Sequence, residues 1–100
     1  MIQITVKADI LPNMHDQLRS VANILQKEYA PNEPGCIQYE SYIDGDVFIT
    51  LEKWRSQDDL DVHLQSSHVA QYVPELKRCV KDGQFFVEFV YDGRLEKAIF

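Results

Sequence analysis

Basic residues are in short supply: ten Lys and Arg stand against sixteen Asp and Glu, for a formal charge of −6. Phosphate backbones are bound by clustered cations, and these ten are scattered, so nucleic acid is not an expected partner. An anionic membrane surface is disfavoured for the same reason. No apolar run approaches the roughly eighteen residues of a spanning helix, and no basic region followed by an apolar stretch opens the chain. A cytoplasmic location is therefore the expectation. Cysteine is scarce too. Cys36 and Cys79 lie too far apart for a disulfide scaffold or a zinc site, which leaves free, buried thiols. A glycine-rich phosphate loop, an internal repeat and a low-complexity tract are all missing.

What remains is an ordinary globular composition, 45% hydrophobic over 100 residues, which is the size of one domain spanning residues 1–100. Ile2, Ile4, Val6 and Ala8 alternate with polar residues and predict a strand. Asn13 is the expected N-cap of a helix whose apolar face is Met14, Leu18, Val21, Ala22, Leu25 and Tyr29. Pro31 and Pro34-Gly35 end that helix. A second strand is predicted from Cys36 to Ile43, a turn at Asp44-Gly45-Asp46, and a third strand from Val47 to Trp54. Ser56 caps a helical stretch to about Gln65, with Asp58 and Asp59 in its first turn. Ser66 or Ser67 offers a fresh cap, so a further helix is expected from His68, with Val69, Tyr72, Val73, Leu76 and Val80 on its apolar face. Pro74 should kink it. After Asp82-Gly83, Phe85 to Tyr91 form the last strand.

This order, β-α-β-β-α-β, is the split βαβ or ferredoxin-like arrangement, an α+β fold with a four-stranded antiparallel sheet. Phe85, Val87, Phe89 and Tyr91 point to one face of it, while Phe86 and Val90 point to the other. Both faces are apolar, which predicts a homodimer stacked sheet to sheet. The segment from Gly93 to Phe100 has no clear pattern; its apolar end could cross onto a neighbouring subunit.

Chemistry concentrates between Glu33 and Tyr72. Histidine is the side chain whose charge changes near neutrality, and His63 and His68 accompany Trp54, Tyr39 and Tyr72. A continuous helix would turn two histidines five apart to different sides, so they converge only if the helix breaks at Ser66-Ser67. Either could serve as a base, with Tyr39, Tyr72 and Trp54 orienting and walling a flat aromatic substrate and Glu52 at the pocket edge. Packing roles compete with each assignment: Tyr72 and Trp54 as core residues, His68 as a residue near a cap, His63 as a hydrogen-bonded residue at the helix–sheet seam. His15 carries no signal.

Glu33-Pro34-Gly35-Cys36 with Tyr39, then Glu52-x-Trp54, then His63-Leu64-x-Ser66-x-His68 together resemble the antibiotic biosynthesis monooxygenase (ABM) family over nearly the whole chain. The resemblance implies a dimeric α+β barrel with one pocket per subunit between sheet and helices. It also implies oxidation of a quinol- or anthrone-like small aromatic molecule by dioxygen without a cofactor, with His63 and His68 as catalytic candidates. Two alternatives follow from other branches and other classes: an isomerase of a small phosphorylated signalling sugar, or a non-catalytic dimeric small-ligand-binding module. Haem-degrading members carry an asparagine on the first strand. Met1 to Asp9 contains none, so haem degradation is not expected.

Overall fold

The computed structural model describes residues 1–100. Alternation makes β1 (Ile2–Asp9) a strand with one buried face: Ile2, Ile4 and Ala8 are buried while Gln3, Lys7 and Asp9 are exposed. Pro12 and Asn13 form a turn, and α1 (His15–Ile24) follows. Asn13 is not its N-cap. It adopts a left-handed backbone (φ 66°), and Met14 caps the helix without a side-chain bond. Asparagine tolerates that conformation better than most residues, so it serves the turn before the helix. Leu18, Val21 and Ala22 bury the predicted face. The helix then widens into a π-helical turn, Leu25–Tyr29, and closes with a 3₁₀ turn, Ala30–Asn32.

Strands β2 (Cys36–Asp44) and β3 (Val47–Trp54) form a hairpin around Gly45. On β3, Phe48, Thr50, Glu52 and Trp54 are all buried, so one face of the strand carries two polar residues inward. Helix α2 (Gln57–Leu64) begins at Ser56, whose hydroxyl accepts from the Asp59 amide. Helix α3 (Ser67–Lys77) begins at Ser66, whose hydroxyl accepts from the Val69 amide. The expected break between the histidines is therefore present, at Gln65-Ser66. Pro74 lies within α3 without ending it.

Two further strands complete the sheet, β4 (Phe86–Tyr91) and β5 (Arg94–Ile99). All pairings are antiparallel, in the order β2-β3-β1-β4-β5. The sheet thus has five strands, not four. Gly93, with φ 75°, turns the chain so that β5 pairs with β4 from Phe86↔Ile99 to Tyr91↔Arg94. The segment expected to cross onto a neighbour is an edge strand of its own sheet. Its pattern is illegible in the sequence because Ala98, Ile99 and Phe100 are consecutive apolar residues after Glu96 and Lys97, which breaks period-two alternation.

The helices cover one face of the sheet, and the core fills the space between: Ile2, Ile4, Leu18, Leu25, Phe48, Trp54, Leu60, Leu76 and Val80 belong to one cluster. The other face is uncovered, with Tyr42, Phe86, Val90, Leu95 and Ile99 all more than a third exposed. Both cysteines are free, Cys79 buried and Cys36 partly so. Burial, with Glu33 and Glu52 nearby, pushes the Cys36 thiol up to about 11, so it stays protonated and unreactive near neutral pH. No helix is long and apolar enough to cross a membrane.

Candidate active site

A cavity of about 320 Å³ lies between the sheet and the helices. Its walls are mostly apolar, with Val6, Val73, Val87 and Phe89 among them, and Tyr39, Thr50, Glu52, His63 and Lys77 supply its polar groups. Three of these follow from strand register. Tyr39 of β2 pairs with Glu52 of β3, and Ser41 with Thr50, so their side chains share the inward face. Leu64 and Phe100, both more than half exposed, also line the cavity and mark its mouth.

Glu52 is the most perturbed acid. Its side chain is 8% exposed, and burial raises its pKa from 4.5 to about 7. The Trp54 indole N–H donates to Glu52 Oε1 at 3.0 Å and opposes that rise. Glu52 is thus divided between its two protonation states near neutrality. Burial also raises the Tyr39 hydroxyl well above its ordinary value, with Glu52 and Glu33 adding to the effect, so Tyr39 remains a donor.

His63, on the last turn of α2, is 8% exposed. Its Nδ1–H donates to Glu33 Oε2 at 2.6 Å, because a carboxylate can only accept. That bond assigns the tautomer and leaves Nε2 as a lone pair with no protein partner. Burial lowers the His63 pKa, and Glu33 opposes the change without reversing it. The imidazole is therefore neutral near pH 7. Trp54 holds the ring from behind, with centroids 4.5 Å apart.

His68 takes the other oxygen of the same carboxylate: its Nε2–H donates to Glu33 Oε1. Its ring stacks on Tyr29, 4.4 Å between centroids and 11° between planes. The two imidazoles stand 6.2 Å apart. The break at Ser66 achieves this, since the Ser66 hydroxyl donates to the His63 carbonyl at 2.6 Å and fixes the join between α2 and α3. His68 does not line the apolar cavity. It faces a second, polar hollow of about 400 Å³, which also receives His63, Glu33, Glu28 and Asp59. His63 alone of the two histidines borders both spaces.

Tyr39, Glu52 and His63 are thus brought to one cavity, and His68 is joined to them through Glu33. Trp54 is fully buried behind His63 and forms no part of the cavity wall. Tyr72 lines neither space and packs near Tyr29, 6.0 Å between ring centroids. Glu33 is the residue that sequence reasoning passed over. It lies in the quoted Glu33-Pro34-Gly35 segment, and its only signal there was membership of that motif. Gly35, with φ +72°, sits so close to Asp59 that any Cβ would collide with it, which seats the Glu33 turn against the start of α2.

The fold is that of a small α+β protein with a mostly apolar cavity between sheet and helices, and comparison with known proteins agrees on the fold. The profile of the antibiotic biosynthesis monooxygenase (ABM) family matches residues 1–75. The chain belongs to that family. Among solved structures, a protein described as an antibiotic biosynthesis monooxygenase is 22% identical, with TM-score 0.82, covering 92% of this chain and 98% of that one. A Mycobacterium tuberculosis protein is 20% identical, with TM-score 0.82 and coverages of 91% and 93%. A conserved protein from Methanosarcina mazei Go1 is 24% identical, with TM-score 0.75 and coverages of 99% and 89%. At these identities the likeness concerns the fold. No match is found among curated proteins.

Proposed function

We propose that the protein is a cofactor-independent monooxygenase that oxidises a quinol- or anthrone-like aromatic with dioxygen, residues 1–100 acting as one domain. The observation that carries this reading is the buried His63, whose Nδ1 is committed to Glu33 while the ring borders an apolar cavity. Such a ring is a neutral base beside a site suited to a flat hydrocarbon. The cavity volume falls at the low end of the range for small-molecule sites, about 300–1,000 Å³.

The chemistry asks little more of the protein. Nε2 of His63 removes a proton from the activated methylene or phenol of the substrate, and Glu33 stabilises the imidazolium that forms. The Tyr39 hydroxyl, and Glu52 in its acid form, donate to the developing oxyanion. The resulting carbanion or phenolate reduces dioxygen and combines with it to give a hydroperoxide. For an anthrone, loss of water from that hydroperoxide leaves a new carbonyl: one oxygen atom enters the product and the other leaves as water. His63 is the catalytic residue here, and His68 and Glu33 position it. Trp54 holds the base in place, and Tyr72 supports the Tyr29 side of the polar hollow.

The isomerase reading is weaker, because the cavity wall holds one cation, Lys77, against Glu52 and thirteen hydrophobic side chains unsuited to a phosphate. The functional unit is a homodimer formed through the uncovered sheet face, where apolar residues of β2, β4 and β5 otherwise meet water. Oxygen uptake with a panel of hydroquinones and anthrones tests the assignment. Uptake well above the uncatalysed rate should fall by about 10²-fold or more in His63→Ala, the usual scale of a lost general base. Background uptake in both proteins would leave a non-catalytic binding module as the better reading.

A further inference from the structure

The carboxylate of Glu33 is an unusual meeting point. Three donor groups from three segments converge there: Glu33 from the turn after α1, His63 from the end of α2 and His68 from the start of α3. Their ligand atoms all lie within 4.8 Å of one another. Glu33 turns one oxygen to each imidazole. A tilted ring contact with Trp54 holds His63, and stacking on Tyr29 holds His68, before any ligand arrives.

Charge around the carboxylate points the same way. The polar hollow that it faces is lined by Glu28, Glu33 and Asp59 and by no Lys or Arg. Glu33 is 9% exposed at its side chain, and its direct partners are the two imidazoles. No Lys or Arg reaches this nearly buried carboxylate, and an added cation offsets the cost of burying its charge.

We infer that Glu33, His63 and His68 form a binding site for one first-row divalent transition-metal ion, of the Zn²⁺ or Fe²⁺ class, open on the side of the polar hollow. Two imidazoles and one carboxylate are the donors that suit such ions, whereas Mg²⁺ and Ca²⁺ prefer oxygen alone. The ion takes the place of the two N–H protons that now lie between the nitrogens and Glu33, and each imidazole stays neutral with its proton on the other ring nitrogen. Metal–ligand distances of about 2.0–2.2 Å require only small movements of side chains already in contact. Water in the hollow completes the coordination shell.

The site has a chemical consequence for His63. An ion on Nδ1 obliges a neutral imidazole to carry its proton on Nε2, which turns a base into a donor. Metal binding and base catalysis by His63 therefore exclude one another, and the ion acts as an inhibitor. That consequence rests on the oxidation proposed above, while the site itself does not.

Titration of the metal-free full chain with ZnCl₂ by calorimetry, and with Co²⁺ by visible absorption, tests the site without substrate or oxygen. One ion per chain should bind saturably, at least about tenfold more weakly in Glu33→Gln and His68→Ala. His15→Ala, which removes the separate His15–Asp46 pair, should bind as the parent does. Histidine ¹⁵N spectra of the unaltered protein give a check that depends on no variant: Zn²⁺ should shift Nδ1 of His63 and Nε2 of His68 together. The inference is overturned by the absence of a saturable one-to-one site, by unchanged affinity in the two variants, or by Zn²⁺ shifts confined to His15. Because these readouts ignore turnover, a protein that binds metal yet oxidises no quinol would sink the oxidation reading alone.

Discussion

At the scale of single residues, the site depends on two acids whose surroundings differ. Glu33 is held between two imidazoles, whereas Glu52 accepts from one indole N–H in a mostly apolar cavity. Burial raises the Glu52 pKa to about 7, so the native state binds a proton that the unfolded chain has lost above 4.5. The sign follows directly: stability is greatest below pH 4.5 as far as this group is concerned, and falls as pH rises through about 7. That interval corresponds to roughly 3 kcal/mol. Glu52→Gln mimics the protonated form and keeps an acceptor for Trp54. The variant should therefore match the parent near pH 4 and exceed its stability by about 1–3 kcal/mol at pH 8. Urea denaturation at the two pH values checks this; equal pH dependence in both proteins would contradict the raised pKa. Sequence reasoning reached Tyr39, Glu52, His63 and His68 because residue type and motif announced them. It missed the part of Glu33, whose partners lie 30 and 35 positions away and become visible only through tertiary contact.

At the scale of elements, the decisive feature is the interruption between α2 and α3. An unbroken helix would send His63 and His68 to different sides. Ser66 prevents this by capping α3 and binding the last turn of α2 through the His63 carbonyl. That interruption was legible, since paired serines before an apolar run are a helix-start signal. Ser66→Ala should cost about 1 kcal/mol, the usual loss of an N-cap, and should loosen the register of the two imidazoles. A urea midpoint equal to the parent's would show that the cap is not what sets the break. Other elements were harder to read. The π-helical turn at Leu25–Tyr29 leaves the apolar periodicity of α1 intact, so nothing in the sequence distinguishes it from a plain helix end, yet it carries Tyr29 to His68. Strand β5 was hidden by its charged residues and depends on the turn at Gly93 and on the exposed edge of β4.

At the scale of the whole molecule, one face of the sheet holds the core and cavity while the other stays apolar and uncovered. The two-sided pattern of β4, with Val87 buried and Phe86 and Val90 exposed, was readable from alternation alone. The dimer proposed to cover that face makes a definite prediction. Val90→Glu places a charge among apolar neighbours and should convert a dimer to a monomer in light scattering after gel filtration, with the circular dichroism spectrum unchanged. A monomeric parent protein would contradict the proposal. The cavity lies on the opposite side of the sheet, so the variant should retain its ligand site.

In the proposed reaction this cavity deprotonates a flat aromatic and lets dioxygen finish the oxidation. Isotope labelling tests it most directly: the purified protein is supplied with an anthrone under ¹⁸O₂ and the product is weighed by mass spectrometry. One ¹⁸O atom per product molecule is expected, formed faster than in buffer, with the acceleration abolished in His63→Ala. Product formed no faster than in buffer, or product carrying oxygen from water instead of ¹⁸O₂, would contradict it.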